Sequence, residues 1–188
     1  MGTAKDGAAT WKFDLILASI AALAGLALNA ATGFGGLTDA GGDNDSLLQL
    51  VEVRDLLNGQ GWFDMHQYRM GLEGGFVMHW SRLLDAPLAA GIAGLSSLTG
   101  SMPLAEKIVQ VLWPALLFWM TLFATARAAR SFAGTGAVLP SVIIGAAAYY
   151  FIGIYAPGSL DHHNVQLMLT MASLALLMQA ARRHCWPG

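Results

Sequence analysis

Charged residues are scarce in this sequence. Lys, Arg, Asp and Glu make up 12% of its 188 residues, against about a quarter in an ordinary soluble domain. Hydrophobic residues account for 55%, and several apolar runs approach the roughly 20 residues with which a helix crosses a hydrocarbon core. This composition argues against an ordinary soluble domain and predicts an all-α integral membrane protein.

Cysteine and net charge are also low. The one cysteine, Cys185, excludes a disulfide within the chain. The formal net charge of −2 argues against a polyanionic partner, so we expect no nucleic-acid binding. No internal repeat, low-complexity tract or flexible linker divides the chain. We therefore predict a single membrane domain over residues 1–188.

Four apolar runs predict membrane-spanning helices. They cover about 13–33, 104–126, 137–156 and 165–181. The first run follows Lys5 and Lys12, and its length favours an uncleaved anchor over a cleaved signal peptide. We expect the chain to lie in an inner (plasma) membrane in contact with membrane lipid.

A fifth apolar stretch, residues 86–98, decides the topology. It is short for a span and rich in Gly, Ala and Ser. If it does not cross, all the short basic clusters fall on one side, as the positive-inside rule prefers. We therefore predict a short non-spanning helix there, within a long helical extracytoplasmic loop over about 34–103, and a cytoplasmic N-terminus.

The segment GGDNDSLLQLVEVRDLLNGQG predicts a helix with an acidic start. Ser46 and Gln49 fit a capping box, apolar residues follow at helical spacing from Leu47 to Leu57, and Asn-Gly supplies the stop. Asp43 and Asp45 then precede the helix. They either cap it and complement its dipole or, as carboxylates one residue apart, bracket a hard cation.

Downstream of this helix, aromatic residues alternate with histidine and arginine. Such a segment can be an aromatic belt at the membrane interface, with arginines meeting lipid headgroups. It can also be a substrate site, because arginine forks onto phosphate oxygens and aromatic faces suit an isoprenoid chain or a sugar ring. The candidate substrate-binding residues are Trp62, Tyr68, Arg69, His79, Trp80 and Arg82.

Asp161, His162 and His163 lie between the third and fourth apolar runs. Ionisable groups at a membrane edge are functional candidates, although Asp161 can also be a plain helix cap. Neither the His-Glu-x-x-His spacing of a zinc hydrolase nor the Gly-x-Ser-x-Gly elbow of a triad hydrolase is present. Mg²⁺ or Mn²⁺ held by Asp161 and His163, and completed by Asp43 or Asp45 and substrate phosphates, fits these residues best.

These residues resemble the GT-C class of membrane glycosyltransferases and, within it, the catalytic subunit of oligosaccharyltransferase. The similar positions, in the same order, are Asp43, Trp62-Phe63-Asp64, Tyr68-Arg69, Gly74-Gly75 and Asp161-x-His163. The resemblance implies a GT-C-like N-terminal module, with a catalytic or metal-binding role for Asp43 and metal ligands at Asp161 and His163. Asp45 can substitute for Asp43.

The implied activity is transfer of a sugar from a polyprenyl-phosphate or polyprenyl-diphosphate donor at the extracytoplasmic face. In that reaction Asp43 or Asp45 would orient or deprotonate the acceptor. Two departures stand out: Gln49 replaces an arginine of the family, and the family continues for many more spans with a further acidic ligand and an acceptor-binding domain.

Two other functions stay open. A non-catalytic or truncated membrane subunit would bind the lipid-linked substrate and work with further membrane subunits. A small cation transporter would use Asp161 and His162 as a relay, which is less favoured because transport residues lie more often in the middle of a span.

Overall fold

The computed structural model describes residues 3–37, 43–71 and 73–185, of which 3–9 and 183–185 are described by their backbone alone. Residues 38–42 of the predicted loop therefore lie outside the described part. The helices are α1 Thr3–Ala31, α2 Asn44–Leu57, α3 Arg82–Thr99, α4 Met102–Ala133, α5 Val138–Ile152 and α6 His162–Cys185. Two short strands, β1 His66–Gln67 and β2 Phe76–Val77, pair antiparallel between α2 and α3.

Four helical segments are long and apolar enough to cross a membrane, as predicted. They are Thr10–Ala31, Met102–Ala133, Thr135–Ile152 and His162–Arg182. The third ends earlier than predicted, because Gly153 adopts a left-handed conformation (φ 79°) that closes α5. The fourth begins earlier, at His162, because its first turn is polar and hydropathy does not detect it. The all-α architecture with four apolar helices is thus confirmed.

Small residues let the apolar helices pack closely around α4. Ala18, Leu122 and Val138 are fully buried in the core that α1, α4, α5 and α6 share. Gly25 of α1 faces the Phe118 ring, and an added Cβ would lie 3.0 Å from a ring carbon. Close approach of helices through small side chains is the usual means of packing in a membrane. There, the hydrophobic effect does not drive helices together, because lipid tails are as apolar as the side chains.

A buried ion cluster joins one end of α1 to α4. Asp14 is fully buried and accepts hydrogen bonds from Arg127 at 3.1 Å and Arg130 at 2.8 Å. Arg127 also donates to Gln179 of α6 at 3.3 Å, and Arg182 donates to the Arg130 carbonyl at 3.0 Å. These bonds bring the basic ends of α4 and α6 to the amino-terminal end of α1.

At the opposite end, α4 extends beyond the length that a membrane requires. Its 32 residues measure about 48 Å, against a hydrocarbon core of about 30 Å. Its first turns pack with α2, α3 and Leu160 in a second core that includes buried Val53, Leu88 and Ile92. Together we call α2, the β-ribbon, α3 and these turns the cap. Arg54 of α2 also pairs with Glu106 of α4, at 2.6 Å.

The helix α3 is longer than the predicted 86–98 but is not among the four apolar helices. The Ser81 hydroxyl caps its start by accepting from Leu83 N at 3.3 Å, and Gly100 closes it in a left-handed conformation (φ 70°). The helix then turns back and packs against the first turns of α4. Placement of the cap outside the membrane stays a prediction.

The start of α2 differs from the predicted capping box. Asp43 is the N-cap in place of Ser46, and its Oδ1 accepts from Asp45 N at 3.2 Å. The prediction was wrong because the Ser46 hydroxyl bonds a different part of the chain.

The buried face of α2 also differs, since Leu47 is 49% exposed whereas Gln49 and Glu52 are fully buried. The Gln49 side chain donates to Asp85 of α3, and the backbone carbonyl of Glu52 accepts from Arg82.

Candidate metal and substrate site

Asp161, His162 and His163 form a compact cluster at the start of α6. Asp161 Oδ1 lies 2.5 Å from His162 Nδ1, and Asp161 Oδ2 contacts His163 Nδ1. One ligand atom from each of the three residues lies within 4.8 Å of the other two. Asp161 is 9% exposed, and His163 is accessible. The carboxylate therefore directs one oxygen at each of two imidazoles.

The cluster is attached to α2 through Ser46. The Ser46 hydroxyl accepts from the backbone amides of Leu160 at 3.0 Å and Asp161 at 3.2 Å, and it donates to Asp43 Oδ2 at 2.9 Å. A single serine oxygen thus separates the Asp43 carboxylate from the Asp161 backbone. The two acidic segments, distant in sequence, meet at the same end of the bundle.

Backbone contacts hold the turn that precedes Asp161. Gly158 N donates to Gln110 O of α4 at 2.8 Å. Gly36 lies so close to the Pro157 carbonyl that it leaves no room for a Cβ. The Tyr155 hydroxyl donates to Asn164 O at 3.3 Å and bonds the Thr121 hydroxyl at 2.7 Å. The site therefore rests on a rigid base of α4 and two connecting segments.

The donor atoms of the cluster are of the types that can bind a divalent cation. Asp161 Oδ1 and His162 Nδ1 are both buried, and neither makes a hydrogen bond among the described residues although they lie 2.5 Å apart. A proton shared between them would account for this separation, and the two atoms would have to move slightly apart to bind one cation together. Imidazole and carboxylate together suit Mn²⁺ or another transition metal better than Mg²⁺, which prefers oxygen ligands. His162 thus joins His163 as a candidate ligand, which the Asp-x-His spacing alone did not indicate.

Of the two candidate catalytic carboxylates, only that of Asp43 is connected to this cluster by hydrogen bonds among the described residues, through Ser46. Both Asp43 and Asp45 are exposed. Each Asp43 oxygen accepts one bond within the first turn of α2, from Asp45 N and the Ser46 hydroxyl. Asp43 therefore caps the helix and adjoins the Asp161 turn at the same time.

Among the aromatic and histidine candidates, Trp80 makes a ring contact with the cluster. Its ring centroid is 5.5 Å from that of His162 and 6.1 Å from that of His79. His79 is exposed, and Trp62 is exposed on the connection from α2 to β1. Trp80 and His79 can therefore line an approach to the cluster.

Arg82 occupies a different position from the one predicted. It is 4% exposed, and its guanidinium donates to Asp85 at 2.9 Å, to Glu52 O at 3.1 Å, and to Gln60 and Asp64 O at 2.7 Å each. A guanidinium already bound by four acceptors is not available to a phosphate. Arg82 therefore holds α2, α3 and their connection together.

Arg69 and Tyr68 lie near the far end of α2. Arg69 Nη2 pairs with Asp55 Oδ1, and the Tyr68 ring is 4.3 Å from the His66 ring. Asp55 follows Ser46 by nine residues, about 13 Å along a helix axis. The structure thus does not bring Arg69 and Tyr68 to the Asp161 cluster.

Glu52 was not predicted to have a role. It is fully buried, and neither carboxylate oxygen has a hydrogen-bond partner among the described residues. Burial, reinforced by the negative charge of Asp85, raises the pKa of Glu52 to about 7. Burial also raises the pKa of Asp85, although Arg82 and Gln49 oppose the shift. The sequence signal was the spacing of Gln49 and Glu52, which places them on the same face of α2.

Comparison of the chain with models of protein families, with curated proteins and with solved structures gave no match.

Proposed function

We propose that the chain is a membrane glycosyltransferase, or the N-terminal module of one, that transfers a sugar from a polyprenyl-phosphate or polyprenyl-diphosphate donor at the extracytoplasmic face. The observation that carries the proposal is the Asp161–His162–His163 cluster, joined through Ser46 to Asp43. A candidate metal-binding group and a solvent-exposed carboxylate meet where four apolar helices end in a polar cap. That is where the phosphate of a lipid-linked donor would lie.

In this proposal Asp161, His162 and His163 hold a divalent cation. When bound, the cation would act as a Lewis acid that neutralises charge on the departing phosphate. Asp43, or Asp45 beside it, would orient the acceptor and take its proton. Trp80 and His79 would line the approach, whereas Arg82 would support the cap without touching substrate.

A cavity between α1, α4 and α5 supports the lipid part of the proposal. It has a volume of about 210 Å³ and lies among small and aromatic side chains that include Ala22, Gly25 and Phe118. It shares Ala22, Leu26 and Ala115 with a wider apolar groove between α1 and α4. Tyr155, which lines the cavity, donates to the carbonyl of Asn164, the residue that directly follows His163 of the cluster. An isoprenoid chain can occupy this space with its phosphate near Asp161.

The test measures Mn²⁺ binding and donor-lipid binding by the full chain in nanodiscs. We expect Mn²⁺ to bind the wild-type chain, and we expect chelation and Asp161→Asn both to weaken binding of a polyprenyl-phosphate sugar. Glu73→Gln, which removes an exposed carboxylate from the connection between β1 and β2, is the matched control and should change neither. Donor binding that is unaffected by chelator and by Asp161→Asn would remove the metal from the proposal.

A second candidate is a non-catalytic subunit that binds the lipid-linked substrate. The observation that favours it is that both oxygens of Asp43 already accept hydrogen bonds that cap α2. Sugar transfer by the purified chain alone, abolished by Asp43→Asn with Mn²⁺ binding retained, would decide for the enzyme. Donor binding without turnover, unchanged in Asp43→Asn, would decide for the subunit.

A further inference from the structure

A polar groove lies at the carboxyl-terminal end of α2. Its volume is about 270 Å³. Each of its lining side chains carries a polar group, although carbon atoms form the larger part of the accessible lining: Asp55, Asn58, Gln60, Tyr68 and Arg69. Because Ser46 contacts Asp161 near the other end of α2, the groove is separated from the metal cluster by most of the helix. It is a second surface with its own chemistry.

The groove is electrically balanced. Arg69 Nη2 pairs with Asp55 Oδ1, so the one cation of the lining is already neutralised by the one carboxylate. A phosphate would have to displace that carboxylate from the arginine and would then lie beside it. The lining therefore selects against anions and favours a neutral ligand that offers several hydroxyl or amide groups.

Contacts within the chain hold three of the groove's polar side chains before any ligand arrives: Asp55, Arg69 and Gln60. Gln60 Nε2 donates to His66 O at 2.8 Å, and Gln60 Oε1 accepts from Arg82 at 2.7 Å. The Tyr68 ring leans on His66 at 4.3 Å yet is 70% exposed. Preorganised groups lower the entropic cost of binding. An open aromatic face beside fixed polar groups matches the ring face and hydroxyl edge of a sugar.

We propose that this groove binds a neutral saccharide, about one sugar ring in size, since pockets for larger ligands begin near about 300 Å³. The proposal extends the proposed function. The choice of a saccharide over other neutral polar ligands rests on that function. The groove would hold a sugar residue that is remote from the bond being transferred. It would thereby select the glycan without touching the reacting atoms.

The test is a saturation-transfer NMR titration of the full chain in nanodiscs, without glycoside detergent, using maltose and N,N′-diacetylchitobiose as probes. We expect at least one probe to bind, and Tyr68→Ala and Asn58→Ala each to weaken its binding by about fivefold or more, the equivalent of one lost hydrogen bond or contact. Phe63→Ala is the matched control, because this aromatic residue is 94% exposed and does not line the groove. Its binding should equal that of the wild type.

Three results would overturn the saccharide groove: no binding of either probe by the wild type, full binding by both groove variants, or displacement of the sugar by inorganic phosphate. Asp161→Asn separates this proposal from the proposed function, because it should lose Mn²⁺ and keep the saccharide. If the wild-type chain binds saccharide through Tyr68 but does not bind Mn²⁺, the saccharide groove is supported and the metal site is ruled out. Saccharide binding that depends on Asp161 and not on Tyr68 assigns the sugar to the cluster.

Discussion

At the scale of single residues, His162 and His163 offer the same atom to the same carboxylate. Each presents Nδ1 to one oxygen of Asp161, and the two rings lie 4.3 Å apart. We predict that His162→Ala and His163→Ala each weaken Mn²⁺ binding by about tenfold or more, since each removes one ligand of a small donor set. Isothermal titration calorimetry or Mn²⁺ electron paramagnetic resonance measures the effect.

His66→Gln serves as the control for these variants, because His66 contacts Gly74 and Tyr68 instead of Asp161. Its Mn²⁺ affinity should match that of the wild type. If only His163→Ala weakens binding, His162 is a neighbour of the site and the simple Asp-x-His pair is the correct ligand set.

Ser46 is the residue that connects the two acidic segments. Ser46→Ala leaves the Leu160 and Asp161 amides without their acceptor, and a buried donor left without a partner costs about 1–3 kcal/mol. We predict a lower thermal unfolding midpoint together with weaker Mn²⁺ binding, because the Asp161 backbone loses its anchor. Ser101→Ala, which removes the N-cap hydroxyl of α4, should lower the midpoint without changing Mn²⁺ affinity. Equal Mn²⁺ affinity in wild type and Ser46→Ala would show that α2 does not position the cluster.

At the scale of elements, the α2–α3 interface contains a pH-sensitive carboxyl. The pKa of Glu52 is raised from 4.5 to about 7 by burial and by Asp85, so the folded state binds this proton more tightly than the unfolded state. The resulting stabilisation is fully present below about pH 4.5 and is lost as pH rises to about 7. We predict that the stability difference between Glu52→Gln and wild type grows in favour of the variant over this range.

Thermal unfolding at intervals from pH 4 to pH 8 measures that difference. Glu73→Gln is again the control, because Glu73 is exposed in the connection between β1 and β2, and its stability should follow the wild type at every pH. A constant difference between Glu52→Gln and wild type would show that the pKa of Glu52 is the same in the folded and unfolded states.

The contact between α1 and α4 depends on one buried carboxylate. Asp14→Asn leaves Arg127 and Arg130 without their counter-charge, and removing one partner of a buried ion pair typically costs about 3–5 kcal/mol. We predict a large loss of thermal stability in detergent or nanodiscs. Lys12→Gln, a change at an exposed neighbour on the same helix, should have little effect. A small loss in Asp14→Asn would mean that water reaches the two arginines.

The helices were more predictable from the sequence than their contacts. Apolar runs near 20 residues demand helical hydrogen bonding wherever they cross lipid, so the four apolar helices follow from length and composition. The face of α2 was not predictable in the same way, because Gln49 and Glu52 are buried only through Arg82 and Asp85 of another helix. The spacing of Gln49 and Glu52 places them on one face of α2, but nothing in the local sequence indicates that partners on another helix bury that face.

At the scale of the whole molecule, the meeting of Asp43 with Asp161 was predictable in outline. Two segments separated by an even number of crossings emerge at the same end of a bundle, and the sequence predicted two crossings between them. The distances were not predictable, because the Ser46 bonds depend on how α2 packs against α4. The position of Arg69 could not be predicted from the sequence either. Arg69 lies beside Asp55 because of the β-ribbon, and strands of two residues are too short to give a recognisable sequence pattern.

The bundle also makes the orientation of the whole chain testable. Arg127, Arg130 and Arg182 lie at the end of the bundle where α1 begins, and the cap lies at the other end, so the positive-inside rule predicts an extracytoplasmic cap. In a Cys185→Ser background, Phe63→Cys should react with a membrane-impermeant maleimide on intact cells. Phe132→Cys, at the basic end and 81% exposed, should react only after permeabilisation. Labelling of Phe132→Cys but not Phe63→Cys on intact cells would invert the topology and place the Asp161 cluster, with any donor it binds, on the cytoplasmic side.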